Sequence, residues 1–291
     1  MDRLRFTFPA RFPISLAAVC LAASASGAQA PAPSPAPAAA AAQPAKPNPD
    51  NEWLAKTGKL YYSSAKAGLT GFECAVHPDW HTLFVSANNG EAVAEDDPRI
   101  VLLKTVKVTI HAKMRGVSTI DWVTDSNPDK PPDQTSTDLL ESMHRSLEQT
   151  LEGFLQFWSP FMEVAVVPDS AEGLEITHTP TEHMIHAKQG DTELTEVFSS
   201  DLVLEQFNVN MSGAKINFLP AYKSTPQGLL VNAFEAHILP AGAPPAQAQV
   251  MKVGIEYQQV NGLAIPDKLN MQVVGTGTFD FAFDGCTTNP K

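Results

Sequence analysis

The chain has 291 residues, 43% of them hydrophobic, 24 prolines and a formal net charge of −12. Such an acidic balance excludes nucleic acid and anionic membrane surfaces as natural partners, because like charges repel at range. The length leaves room for one substantial core.

Residues 1–30 read as a secretory signal. Arg3, Arg5 and Arg11 form the positive region, residues 14–25 the apolar core, and Ala28-Gln29-Ala30 a small-residue cleavage site. A periplasmic or secreted protein cleaved near Ala30 is the expectation. A lipid tether at Cys20 is the lesser alternative, because Val19 stands where a small residue is needed. The apolar run is too short for a transmembrane helix, and no other stretch approaches one. Residues 31–49, nearly all Ala and Pro, read as a disordered or polyproline-like spacer. Loss of residues 1–30 leaves 17 Lys and Arg against 31 Asp and Glu, a net −14. Residues 50–291 are then expected to form a single α+β domain.

Three helices are legible. The first is expected over 51–67, with Asp50 as N-cap and Gly68 just past its end. A short second one starts at Pro78-Asp79, buries Trp80, Leu83 and Phe84, and stops at Asn88-Asn89-Gly90. The third, over 137–158, is expected to be capped by Thr137 and ended by Pro160. Its Leu140, Met143, Leu147, Leu151, Phe154 and Trp158 recur at helical spacing, and Glu141, Arg145, Glu148 and Glu152 line the opposite face. Asp96-Asp97 before Pro98 reads as a solvated turn or a helix cap.

The remainder alternates as strand. Val108 and Ile110 are expected opposite Trp122 and Ile120 around Met114-Arg115-Gly116. Short strands follow near 173–179, 182–188 and 192–198. Phe207, Val209 and Met211 face Phe218, Ile216 and Ala214 across Ser212-Gly213, and Leu230, Phe234 and Ile238 come next. The last stretch, 251–283, reads as a long hairpin with a buried face. A three-residue loop, Val260-Asn261-Gly262, would set Tyr257 opposite Ile265, Val253 opposite Leu269 and Met251 opposite Met271. Its outgoing arm, carrying Phe279, Phe281 and Phe283, is long enough to demand a bend or bulge at Pro266 and at Gly275-Thr276-Gly277.

Chemistry-bearing motifs are few. Outside the signal only Cys74 and Cys286 remain, and in an oxidising compartment they are expected to pair. His183 and His186 fall on opposite faces of a strand, and His77 and His81 lack a third partner, so the histidines read as solvated or singly hydrogen-bonded and not as metal ligands. No nucleophile elbow, zinc-protease motif or phosphate-binding glycine loop occurs, so the sequence points away from an enzyme and names no catalytic residue, metal or cofactor.

The segment Tyr257-Gln-Gln-Val-Asn-Gly-Leu-Ala-Ile-Pro266 resembles a hairpin frequent near the C-terminus of LolA-like outer-membrane lipoprotein-sorting proteins. The secretion signal, the Trp53-to-Gly68 helix and the meander are similar too, over about residues 50–286. That resemblance implies an antiparallel, strongly curved open β-barrel with helices covering one face. It also implies a non-enzymatic carrier or chaperone for an acylated or apolar ligand. The ligand cavity would lie between the third helix (Leu140, Met143, Leu147, Leu151, Phe154, Trp158) and the last strand (Phe279, Phe281, Phe283). The alternative is an envelope scaffold that binds other proteins and has a fully packed core. A hydrolase is the least favoured class. An apolar void under the third helix separates the first two.

Overall fold

The computed structural model describes residues 48–289, apart from 89, 115–116, 126–131, 163–165 and 276. The expected signal, Cys20 and the spacer up to residue 47 lie outside the described residues, as does Arg115-Gly116.

Four α-helices are described: α1 (Pro49–Gly58), α2 (Trp80–Ala87), α3 (Pro98–Leu103) and α4 (Gln134–Met162). Twelve strands form one antiparallel sheet. They are β1 (Gly71–Pro78), β2 (Val106–Lys113), β3 (Thr119–Thr124), β4 (Glu175–His178), β5 (Glu182–Gln189), β6 (Thr192–Ser199), β7 (Leu204–Met211), β8 (Ala214–Thr225), β9 (Gly228–Pro240), β10 (Gln249–Val260), β11 (Leu263–Val273) and β12 (Gly277–Thr288). The order across the sheet is β3-β2-β1-β12-β11-β10-β9-β8-β7-β6-β5-β4. Nearly every neighbour is a sequential hairpin. The exception is β1 on β12, which seats the first three strands against the last. The sheet is therefore open, its edges are β3 and β4, and the segment joining those two edges contains α4.

Local chemistry sets the helix ends. Asn48 caps α1, its side chain accepting from the Asp50 N–H, so capping begins two residues before the expected Asp50. The helix stops at Gly58, well short of Ala67. Tyr61 leaves it to bridge Leu229, and Gly68 takes the expected positive φ of 93° within a turn. Tertiary pairing has overridden the helical pattern there. Asp79 caps α2 through Thr82, and Asp97 caps the short α3 through Arg99. For α4 the cap is Asp133, which accepts from the Ser136 N–H, not Thr137. The helix passes Pro160 to end at Met162. Phe161 and Met162 are buried, and that burial outweighs the missing N–H of proline.

The register between β2 and β3 and between β7 and β8 is the expected one: Ile110 opposite Ile120, Val108 opposite Trp122, Phe207 opposite Phe218. The last hairpin differs. Its loop is the two-residue Asn261-Gly262, both with positive φ (54° and 79°), joining Val260 to Leu263. Tyr257 thus faces Pro266, and Gln258 faces Ile265. A bulge at Asp267 then inserts one residue, so that Ile255 meets Leu269, Val253 meets Met271 and Met251 meets Val273. The hydrophobic register is restored in mid-strand at Pro266 and not at the loop. The long outgoing arm is also two strands, because the chain reverses after Val274-Gly275 and β12 returns antiparallel to β11.

Candidate functional site

The inner face of the sheet collects the apolar parity of each strand: Phe72 and Val76 on β1, Phe207 on β7, Phe218 on β8, Phe234 on β9, Ile255 on β10 and Phe279, Phe281 and Phe283 on β12, all buried. α4 lays its own apolar stripe on that face. His144 stacks on Trp122 of β3 (ring centroids 5.1 Å), and Trp158 meets Phe72 of β1 edge-on at 6.1 Å. Phe157 reaches Phe218, and Phe161 touches Phe207, Phe218 and Phe234. One polar tie accompanies these rings: Trp158 Nε1–H donates to the Tyr257 hydroxyl (2.9 Å), which donates to the Val231 carbonyl (2.7 Å).

All nine residues expected to line a cavity are buried: Leu140, Met143, Leu147, Leu151, Phe154, Trp158, Phe279, Phe281 and Phe283. Met143, Leu147, Phe279 and Phe281 share one seam, where α2 joins them through Trp80 and Leu83. The free space in that seam is about 10 Å³, at the lower limit for one water. The surfaces interlock there. A second concavity, about 770 Å³ and open, lies along β9–β12 and the end of β1 and carries His77, Asn232, Glu256, Lys268, Asn270 and Asp280. Its walls mix these polar side chains with the apolar Ala233, Ile255, Leu269, Phe281 and Ala282, and Lys268 is paired to Glu256.

A polar group sits inside the apolar face near its β4 edge. Glu196 shares strand parity with Leu194 and Phe198, and its ladder partners are Phe207 and Ile185, both buried. Its Oε2 is shut from solvent and has no protein partner. Burial pushes its carboxyl up to about 8. Nearby, the Tyr61 ring meets Tyr222 edge-on at 5.4 Å. The Tyr61 hydroxyl donates to the Leu202 carbonyl (2.9 Å) and accepts from the Leu204 N–H (2.6 Å). The Tyr222 hydroxyl, on the face of Phe218, has no protein partner. Burial raises both phenols, and the Glu196 carboxyl raises them further. Sequence reading passed over Glu196. The available signal was a carboxylate at the apolar parity of a strand, Leu194-x-Glu196-x-Phe198.

The histidines, read from sequence as solvated or singly hydrogen-bonded, include one that makes two contacts, His178. In the structure its Nδ1 meets His183 Nδ1 at 2.8 Å and its Nε2 meets Asp50 Oδ1 at 3.3 Å, with Trp53 against both rings. Two ring nitrogens that close share one proton and are turned toward each other. Cys74 and Cys286 form the expected disulfide, 212 residues apart in sequence. Gly285 and Cys286 together oppose Cys74 in a bulge with Gly285 at φ 57°, which brings the two sulfurs across the ladder.

No helix among the described residues is long and apolar enough to cross a membrane. No family model and no curated protein matches the chain. Among solved structures it is similar to a Vibrio parahaemolyticus domain provisionally named as an outer membrane lipoprotein-sorting protein domain. Identity is 11%, the match covers 82% of this chain and 92% of that chain, and the TM-score is 0.25. At that TM-score the likeness carries no argument.

Proposed function

We propose that this protein is a non-enzymatic envelope carrier or chaperone for an acylated or otherwise apolar ligand, seen with its binding face closed by α4. The observation that carries this is topological. β3 and β4 would have to pair for the sheet to seal its own apolar face, and instead the connection between them contains an amphipathic helix seated on that face. Side-chain contact seats it, with the Trp158–Tyr257 bond beside the rings and the Ala65 N–H donating to the Met162 carbonyl (3.3 Å) at its end. Such contact is non-directional, and an acyl chain can replace it without breaking any ladder.

Dimensions support a sheet wrapped toward the helix. Trp122 on β3 and Phe207 on β7 are eight strand spacings apart, roughly 38 Å if flat. The α4 residues reaching them, His144 and Phe161, are about 26 Å apart along the axis. A concave face, the half-barrel of the LolA-like resemblance, reconciles the two lengths.

The envelope-scaffold reading has one observation in its favour, the closed seam of about 10 Å³. A fluorescent fatty acid titrated against delipidated protein separates the two. A carrier binds it saturably, and the amides of α4 exchange hydrogen faster in the complex. A scaffold gives no saturable binding, no change in α4 exchange, and a Leu147→Ala penalty of about 2–5 kcal/mol typical of a close-packed core.

A further inference from the structure

The underside of α1 and the β6–β8 part of the inner face hold buried polar atoms that no protein group satisfies. They are Glu196 Oε2, the Tyr222 hydroxyl, Trp53 Nε1 and Thr57 Oγ1. Trp53 and Thr57 are one turn apart on the same face of α1, and the Trp53 ring stands edge-on to Phe198 at 5.6 Å. Phe198 is two residues from Glu196 on the same face of β6. Tyr61, the residue that closes on Tyr222, follows Thr57 by four. Two further buried polar atoms, Ser64 Oγ and Asn217 Oδ1, are unpartnered outside this set, whereas the Tyr257 hydroxyl has two partners and the Tyr62 hydroxyl accepts from the Ala264 N–H.

An unpaired buried polar atom costs about 1–3 kcal/mol, so each of these atoms calls for a partner such as an ordered water, an ion or a ligand group. The chemistry of this set is one-sided. Tyr222, Trp53 and Thr57 each offer a proton, and Glu196, kept protonated by burial, offers a fourth. Among the described residues no Lys or Arg is paired with the set: the ladder partners of Glu196 are Ile185 and Phe207, its polar neighbours are the phenols Tyr61 and Tyr222, and of the two imidazoles against Trp53, that of His183 is held below the ordinary histidine range by burial and by His178. An anion there would be stripped of water with no countercharge. A neutral acceptor suits it.

We infer that Glu196, Tyr222, Trp53 and Thr57 form an internal subsite for the carbonyl of an acyl ester or amide, holding the polar junction of a ligand whose chain lies on the apolar face. This rests on the carrier reading and adds to it a ligand class and a direction of insertion: the chain toward β12, the carbonyl toward β6.

The test compares a monoacylglycerol with the alkyl ether of the same chain length, each displacing a fluorescent fatty acid from the delipidated protein. The ether keeps the chain and the glycerol and lacks the carbonyl. Wild type is expected to bind the ester about tenfold more tightly. Tyr222→Phe and Glu196→Leu should each remove that preference while leaving ether binding unchanged, and Glu196→Gln, which still donates, should keep it. Circular dichroism melting confirms that each variant is folded. Equal binding of ester and ether by wild type, or a preference indifferent to all three substitutions, overturns the subsite and leaves the carrier reading standing. Failure of both ligands and of the fluorescent probe to bind wild type overturns the carrier reading and the subsite with it.

Discussion

Glu196 is the residue where local pattern and environment disagree most. Its carboxyl is pushed up to about 8 by burial, against 4.5 in an open chain. The folded state therefore holds its proton more tightly than the unfolded state. The contribution to stability is whole below about pH 4.5, declines by up to about 1.4 kcal/mol per pH unit as the unfolded chain ionises, and levels off above about 8. Glu196→Gln cannot ionise. The melting temperature of wild type, measured against Glu196→Gln, should fall between those two pH values. A constant difference across that window would mean that Glu196 is solvated. A second residue-scale test concerns Gln258. Its Nε2 donates to the Pro266 carbonyl (3.0 Å) and the Phe283 carbonyl (2.9 Å), bridging the gap where the Asp267 bulge parts β11 from β12. Gln258→Leu removes both bonds at similar size. Two partly buried carbonyls lose their donor, so chemical denaturation should find a loss of about 1–3 kcal/mol.

At the scale of elements, the last hairpin depends on its turn and on the compensation placed along the strand. Asn261 and Gly262 both have positive φ, the left-handed pair that matches strand twist in a two-residue loop. A Cβ at Gly262 would meet nothing within 4 Å, so any cost of substitution there is backbone strain alone. Gly262→Val should destabilise by about 1–3 kcal/mol, and Gly262→Ala by less. Equal stabilities for Val, Ala and Gly would refute the turn. α4 illustrates the opposite balance. Twelve of its residues are buried, so side-chain packing, not propensity or capping, carries the helix past Pro160.

Across the whole molecule, β1 on β12 is the pairing that joins the N-terminal strands to the rest of the sheet, and the Cys74–Cys286 bond lies on that seam. By loop entropy, closing a separation of 212 residues contributes at most about 5 kcal/mol. In a chain carrying Cys20→Ser, thiol titration of the denatured, unreduced protein should find no free thiol. Reduction should release two and lower the melting temperature by several degrees. Two free thiols before reduction would refute the bond in solution. If α4 is a removable cover, reduction should loosen the β1–β12 seam without opening the face under α4, because the helix connects the opposite edges.

Strand parity, helix stripes and turn residues were legible in the sequence because period and φ preference are local properties. They gave the helix buried on the Leu140–Trp158 stripe, the pairing of Ile110 with Ile120 and of Phe207 with Phe218, and the positive φ of Gly262. The cysteine count gave the disulfide, since only one pair remained outside the signal. Tertiary structure alone decided the rest. Whether the Asp267 bulge or the loop absorbs the odd residue depends on which register buries more of β10 and β11 at once. The end of α1 at Gly58 depends on Tyr61 finding Leu229, about 170 residues on. Glu196 became a site candidate only when β7 and β8 brought Phe207 and Tyr222 beside it, because burial and unmet hydrogen bonds are sums over neighbours distant in sequence, and no local pattern encodes such a sum.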